Sequence, residues 1–161
     1  MPPVNISHHV TQINQRDVTE CWACSIAMIT GRHSWESVNH VRDLAIDAGV
    51  NVNGRLSSAD VRNLARATRL GYHDHPQITV GYFASLLRRG AFVLFGRFNF
   101  PGAAVDHAVA ISALQGDGTP AGTRITINDP WGGVVRTSFQ DFALSRNPPP
   151  ILVRGDYIIS K

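Results

Sequence analysis

The chain has 161 residues, enough for one domain with a sizeable core. Hydrophobic residues make up 43% and charged residues 17%, which fits a folded globular protein and excludes a disordered one. The formal charge of +3 is spread thinly, Arg88-Arg89 is the only adjacent basic pair, and no apolar run approaches the ~20 residues of a membrane span, so neither nucleic acid nor membrane is expected as a partner.

Residues 1–9 have no basic start and no apolar core, so they do not read as a secretory signal peptide. The expectation is a protein that stays in the cytoplasm, leaves by a signal-independent route, or is a domain of a longer chain. The segment 8–15 alternates loosely and predicts a short extended stretch. Residues 22–30 are apolar almost all round, which predicts a buried helix ending at Gly31. Ser34 is placed to cap a second helix over 35–48, stopped by Gly49. Residues 50–55 read as a loop with Asn53-Gly54 as its turn.

A third helix starts at Ser57 or Ser58, carries Val61, Leu64 and Ala65 at helical spacing, and is expected to close at Gly71. Residues 72–77 then read as a polar loop, and Thr79 as the cap of a short helix carrying Phe83, Leu86 and Leu87 that ends at Gly90. From 91 onward the pattern turns to strands, at 91–95, 107–114, 124–128, 134–137 and 151–159. A loop at 99–105, turns at 115–122 and 130–133, a short helix at 138–144 and a rigid Pro148-Pro149-Pro150 break separate them. Helices first and strands last predict an α+β fold, an N-terminal helical half with a C-terminal antiparallel sheet, in a single domain over 1–161.

Two cysteines three residues apart make no disulfide framework, and free thiols suit a reducing compartment. Cys21 stands at the expected start of the buried helix, where the positive end of the helix dipole and a neighbouring imidazole stabilise a thiolate. The helix start also offers backbone N–H groups to an oxyanion. His107 opens an apolar strand after a loop, so its ring is expected at a strand end, and Asp129 closes the next long strand. Neighbouring antiparallel strands would bring the two side by side, with the carboxylate holding the imidazole in one tautomer. Asn128 is the alternative orienting residue, and the start of an Asp-Pro turn is the alternative role of Asp129. Gln15, six residues before Cys21, is a candidate side-chain donor to the same oxyanion, with Gln12 close by. Cys24, one turn further in, reads as core, or else as a resolving thiol. Trp131 reads as packing or as a lid over the His–Asp bond. The remaining histidines, His8, His9, His33, His40, His73 and His75, read as surface or capping residues.

The string Cys21-Trp22-Ala23-Cys24-Ser25 resembles the active-site Cys-Trp-Ala-Phe-Ser of papain-like cysteine peptidases, with Cys24 in place of Phe. Gln15 stands where that family's oxyanion Gln stands, Asp106-His107-Ala108-Val109 resembles its His-Ala-Val strand, and Asp129-Pro130-Trp131-Gly132 is similar to its Asn-Ser-Trp-Gly. The chain is shorter than papain. Its Asp-Pro form resembles compact bacterial branches, the avirulence-effector peptidases and the bacteriocin-processing peptidases that cut after Gly-Gly. The resemblance spans roughly 12–133 and implies a papain-like fold, catalytic Cys21, His107 and Asp129, Gln15 at the oxyanion, and Trp22 and Trp131 in support, with no metal or cofactor. It also implies a protein substrate with small residues, often Gly, before the cut. A bacterial effector or interbacterial toxin is a further expectation, held in the bacterial cytoplasm before signal-independent secretion into a target cell. A toxin would bring an immunity protein or inhibitor covering the cleft.

Fourteen of the fifteen basic residues are arginine, Lys161 being the exception. Codon bias of a GC-rich genome accounts for this. An effector working inside a eukaryotic cell, where few lysines mean few ubiquitination sites, is the sharper reading.

Other chemistries compete. Cys21-Trp22-Ala23-Cys24 is formally the Cys-x-x-Cys of thioredoxin-like redox proteins, but the polar segment before it is no strand and leaves His107 and Asp129 without a role. Cys21 and Cys24 with two histidines would suit zinc, but lack a second tightly spaced ligand pair. Amidases, deamidases and transglutaminase-like acyl transferases use the same Cys–His pair on related folds, and a binding module would make Cys21 dispensable.

Overall fold

A computed structural model describes residues 2–31, 34–98, 106–144 and 152–161. In chain order the elements are β1 (Val4–Ser7), α1 (Cys21–Ile29), α2 (Trp35–Asp47), α3 (Ser58–Ala67), β2 (Gly71–Asp74), α4 (Val80–Leu87), β3 (Phe92–Phe98), β4 (Asp106–Gly116), β5 (Thr123–Asp129), β6 (Gly133–Ser138), α5 (Phe139–Leu144) and β7 (Leu152–Ser160). The predicted loop at 99–105, the proline break at 148–150 and His33 lie outside the described residues.

Local chemistry accounts for several boundaries. Ser57 and Asp60 close a reciprocal capping box on α3, Ser57 Oγ accepting from Asp60 N at 3.1 Å and Asp60 Oδ2 from Ser57 N at 2.9 Å. Thr79 Oγ1 accepts from Tyr82 N at 3.2 Å and starts α4. Ser34 does stand at the start of α2, but its hydroxyl lies 3.3 Å from Ser37 Oγ and caps no backbone N–H. Gly31 and Gly49 follow α1 and α2 at φ +75° and +76°, the left-handed conformation that glycine takes without strain.

Among the described residues seven strands form one antiparallel sheet in the order β2-β7-β3-β4-β5-β6, with β1 pairing β4 beyond the end of β3. The α+β class and the antiparallel sheet hold as expected, but two strands come from the N-terminal half. The expected extended stretch at 8–15 is irregular, and the strand lies earlier, with Val4 opposite Gly116. The expected polar loop at 72–77 opens with β2, and Gly71 is the first residue of that strand rather than the end of α3. Arg69, at φ 59°, makes the turn out of α3. β2 is a four-residue edge strand without a buried side chain, held by backbone pairing to β7, so it carries no apolar alternation to read.

Both faces of the sheet are covered. On one, Ile26, Met28, Val38 and Leu64 from α1, α2 and α3 pack on Val93, Ala108 and Ile159. On the other, Phe83 of α4 and Phe139 of α5 pack on Phe92, Leu94, Ile111 and Ile127. Successive residues of a strand face opposite ways, so the unbroken apolar run of β3 serves both cores. Ser25 Oγ of α1 donates to Ala108 O of β4 at 3.1 Å, which ties the first helix to the sheet where the site forms.

Phe83 is fully buried, edge-on to Phe92 and Phe139 at centroid distances of 5.0 and 5.4 Å. Phe83→Ala is expected to lower the free energy of unfolding in urea by about 3–5 kcal/mol. Val134→Ala, at an exposed position, should stay within about 0.5 kcal/mol of wild type. Equal effects at the two positions would contradict this packing.

Candidate active site

Cys21 is the first residue of α1, and the first helical bond runs from Cys24 N–H to Glu20 O at 2.9 Å. The N–H groups of Cys21, Trp22 and Ala23 therefore precede the ladder. No side chain caps them, because the cap residue Glu20 turns its carboxylate back toward Arg16. A helix start with uncapped donors is where a developing oxyanion is held. Ser25 lies one turn after Cys21 and bonds to Ala108, the neighbour of His107. That tie sets the Cys21 thiol beside the imidazole, to which it is hydrogen-bonded.

His107 and Asp129 sit at the ends of β4 and β5. β4 and β5 run antiparallel, so the start of one and the end of the other lie at the same edge of the sheet. A bulge between Ile111 and Ala113 shifts the register between the strands. His107 Nε2 donates to Asp129 Oδ1 at 2.6 Å, with both residues buried. The same oxygen accepts from Trp131 N at 2.9 Å. With Nε2 committed to Asp129, Nδ1 is the ring nitrogen left for Cys21. Burial, the largest influence, works against the charged ring. The bonds to Asp129 and Cys21, and the charges on both, outweigh it and raise the His107 pKa to about 9.

Asn128 does not orient His107. It faces away from Asp129, accepts from Ser112 Oγ at 2.7 Å and donates to Gln12 Oε1 at 3.2 Å. Gln12 in turn donates from Nε2 to Asp129 O at 2.8 Å. This partly buried Ser112–Asn128–Gln12 chain supports the main chain at Asp129, a role that a glutamine in a polar stretch does not announce. Gln15 is anchored by Gln15 N donating to Pro130 O at 2.8 Å. One N–H of its side-chain amide goes to Asp17 O at 2.6 Å, while its buried Oε1 finds no partner among the described residues. Trp22 is buried, whereas Trp131 is 48% exposed and meets Asp129 through its backbone N–H. Cys24 is completely buried, and burial first, then the charges of Glu20 and Cys21, pushes its thiol up to about 12. His8 and His73 are half-buried rather than free surface residues, paired to Leu87 O at 2.6 Å and Ser160 Oγ at 2.7 Å.

A cavity of about 330 Å³ opens at the pair, with Cys21 and His107 sharing its wall with Leu56, Val61, Phe95 and Tyr157. Its walls around Cys21 and His107 are largely apolar. These lining positions come from four separate elements and loops, and nothing in their local sequence marks them. The redox and metal alternatives find little here. The segment before Cys21 is irregular and the sheet is antiparallel, and among the described residues no group of three or more His, Cys, Asp or Glu side chains is placed to hold a metal ion.

The profile of the papain-like cysteine protease AvrRpt2 family matches residues 4–147. The fold is similar to the peptidase domain of Streptococcus ComA, a bi-functional ABC transporter involved in a quorum-sensing pathway, with TM-score 0.62 and 17% identity over 94% of this chain and 98% of that one. It is also similar to a double glycine motif protease from an AMS/PCAT transporter, solved in complex with its leader peptide, with TM-score 0.58 and 19% identity over 100% of this chain and 99% of that one. At such identities the two structures speak for the fold alone. No curated protein sequence matches the chain.

The raised His107 pKa has a consequence for stability. An unfolded imidazole releases its proton near 6.5, and the folded one near 9. The paired ring therefore stabilises the native state fully below pH 6.5, and this contribution is lost as the pH rises through about 9. The stability gap between wild type and His107→Gln is expected to narrow across that span, with a His107 ring titration by NMR centred near 9. A midpoint at or below 6.5 would contradict the pairing.

Proposed function

The chain belongs to the family of the papain-like cysteine protease AvrRpt2 and is a papain-like cysteine peptidase; we propose that it hydrolyses a peptide bond of a protein substrate through Cys21, His107 and Asp129. The observation that carries this assignment of roles is the buried 2.6 Å His107–Asp129 bond, with the Cys21 thiol hydrogen-bonded to the same ring.

The Cys21 thiol passes its proton to His107, and Sγ attacks the carbonyl carbon of the scissile bond. The carbonyl oxygen takes up negative charge and is held by the Cys21 N–H and by the second amide N–H of Gln15. As the C–N bond breaks, the proton on His107 moves to the leaving amine and a thioester remains on Cys21. Water then attacks the thioester. His107 takes a proton from that water and returns it to the thiolate as the acid product leaves. Asp129 keeps the ring in the orientation that presents Nδ1 to sulfur throughout.

The cavity beside Cys21 is read as the seat of an apolar substrate side chain, close to the cut. A small residue, glycine foremost, is proposed immediately before the scissile bond. The fold shared with a double glycine motif protease supports that reading. We also propose that the protein acts as a bacterial effector or toxin, with an immunity protein or inhibitor that would seat over the same cleft.

Cleavage of a candidate protein substrate, followed by gel and by mass of the new termini, tests the roles. Cys21→Ala and His107→Ala are each expected to lower turnover by about 10⁴-fold or more with the fold intact by circular dichroism. Asp129→Ala should lose about 10²-fold or more, and Asp129→Asn less, because an amide oxygen still accepts from Nε2. Wild-type rates in Cys21→Ala would sink the mechanism.

A further inference from the structure

Glu20 is a buried carboxylate that the mechanism above does not use. Its side chain is only 4% exposed, directly before the nucleophile. It caps nothing on α1. Instead Oε2 accepts from the Arg16 main-chain N–H at 3.0 Å and from Arg16 Nε at 3.4 Å. Oε1 accepts from Arg16 Nη2 at 2.8 Å and from Arg42 Nη1 at 3.5 Å. The carboxylate thus joins the two ends of the segment 16–20, which is the whole of the chain between Gln15 and Cys21.

The closed segment is also fastened to α2. The Arg16 guanidinium lies 3.9 Å over the Trp35 ring, Arg16 Nη2 reaches Asn39 Oδ1 at 3.4 Å, and Arg42 belongs to the same helix. At the tip, Asp17 Oδ1 accepts from Thr19 N at 2.8 Å and from Thr19 Oγ1 at 2.6 Å, so the loop is tied at its ends and at its turn. Desolvating a carboxylate is expensive, and a buried ion pair contributes little net stability against an apolar replacement. What such a pair does confer is a fixed geometry. Here that geometry relates one residue to another: the donor at 15 to the sulfur at 21.

We propose that Glu20 is the positioning residue of the oxyanion site, its carboxylate closing the segment 16–20 onto itself and onto α2 so that the Gln15 amide and the Cys21 N–H converge on one point. This rests on the reading of Gln15 as an oxyanion donor. Glu20 touches neither substrate nor the reacting atoms and acts through Gln15.

Two reactions of the same sulfur separate this role from a merely structural one. Alkylation of Cys21 by iodoacetamide forms no oxyanion, whereas peptide hydrolysis does. In Glu20→Ala, kcat for hydrolysis is expected to fall about 10–100-fold with KM within about threefold. The alkylation rate at Cys21 should stay within about twofold. Glu20→Gln keeps an oxygen for the Arg16 N–H and should fall between Glu20→Ala and wild type, and it serves alone if the alanine variant does not fold. Gln15→Ala should lose as much as Glu20→Ala, and the double variant no more than Gln15→Ala. Unchanged hydrolysis in the Glu20 variants, parallel loss of alkylation, or additive losses in the double variant would overturn the proposal. A Gln15→Ala variant with full kcat would instead overturn the underlying donor assignment, and the Glu20 role with it.

Discussion

The 2.6 Å bond between His107 Nε2 and Asp129 Oδ1 is the constraint around which the site is arranged. It forms where the start of β4 meets the end of β5, and the bulge at Ser112 shifts the register between them. Burial makes the pairing matter. In a low-dielectric setting an unpaired carboxylate or imidazolium is costly, while a paired one is held strongly. Asp129 is satisfied on two sides, by His107 and by the Trp131 N–H, and its main chain is held by Gln12. Spending Nε2 on this bond leaves Nδ1 for sulfur. The orientation of the His107 ring is thus a property of the sheet.

Cys21, the proposed nucleophile, comes from the other half of the fold. α1 lies against the sheet through an apolar face, and the Ser25–Ala108 bond sets where along β4 the helix begins. Its two thiols then diverge by environment alone. Cys21 is half-exposed beside His107 and the cavity, while Cys24 is sealed in the core with its thiol pushed up to about 12. Formally a Cys-x-x-Cys pair, they are one thiol at the cavity and one packing group. The Arg16–Glu20–Arg42 cluster adds the third component, a clamp between the helix start and the loop before it.

Much of this was legible in the chain because the signals are local. Cys21-Trp22-Ala23 at the start of an apolar run, a histidine opening one strand and an aspartate closing the next carry their chemistry within a few residues each. Thr79 and Ser57 marked helix starts through the backbone bonds that they do make. What escaped depends on distant partners. β2 exists only because β7 pairs with it, and β1 because β4 extends past β3. Gln12 and Gln15 look alike in sequence, yet Gln12 holds the carbonyl of Asp129 while the Gln15 amide bonds within its own loop. The i,i+4 spacing of Arg16 and Glu20 was visible, but that their carboxylate is buried and braced from α2 was not.

In the proposed mechanism the fold activates one of two thiols through His107. Brief treatment at neutral pH with iodoacetamide, quenched and read by peptide mass spectrometry in wild type and His107→Ala, tests it most directly. The account expects rapid modification at Cys21 with Cys24 spared, and loss of the rapid phase without the histidine. Slow or equal labelling of both cysteines, or labelling of Cys21 indifferent to His107, would contradict it.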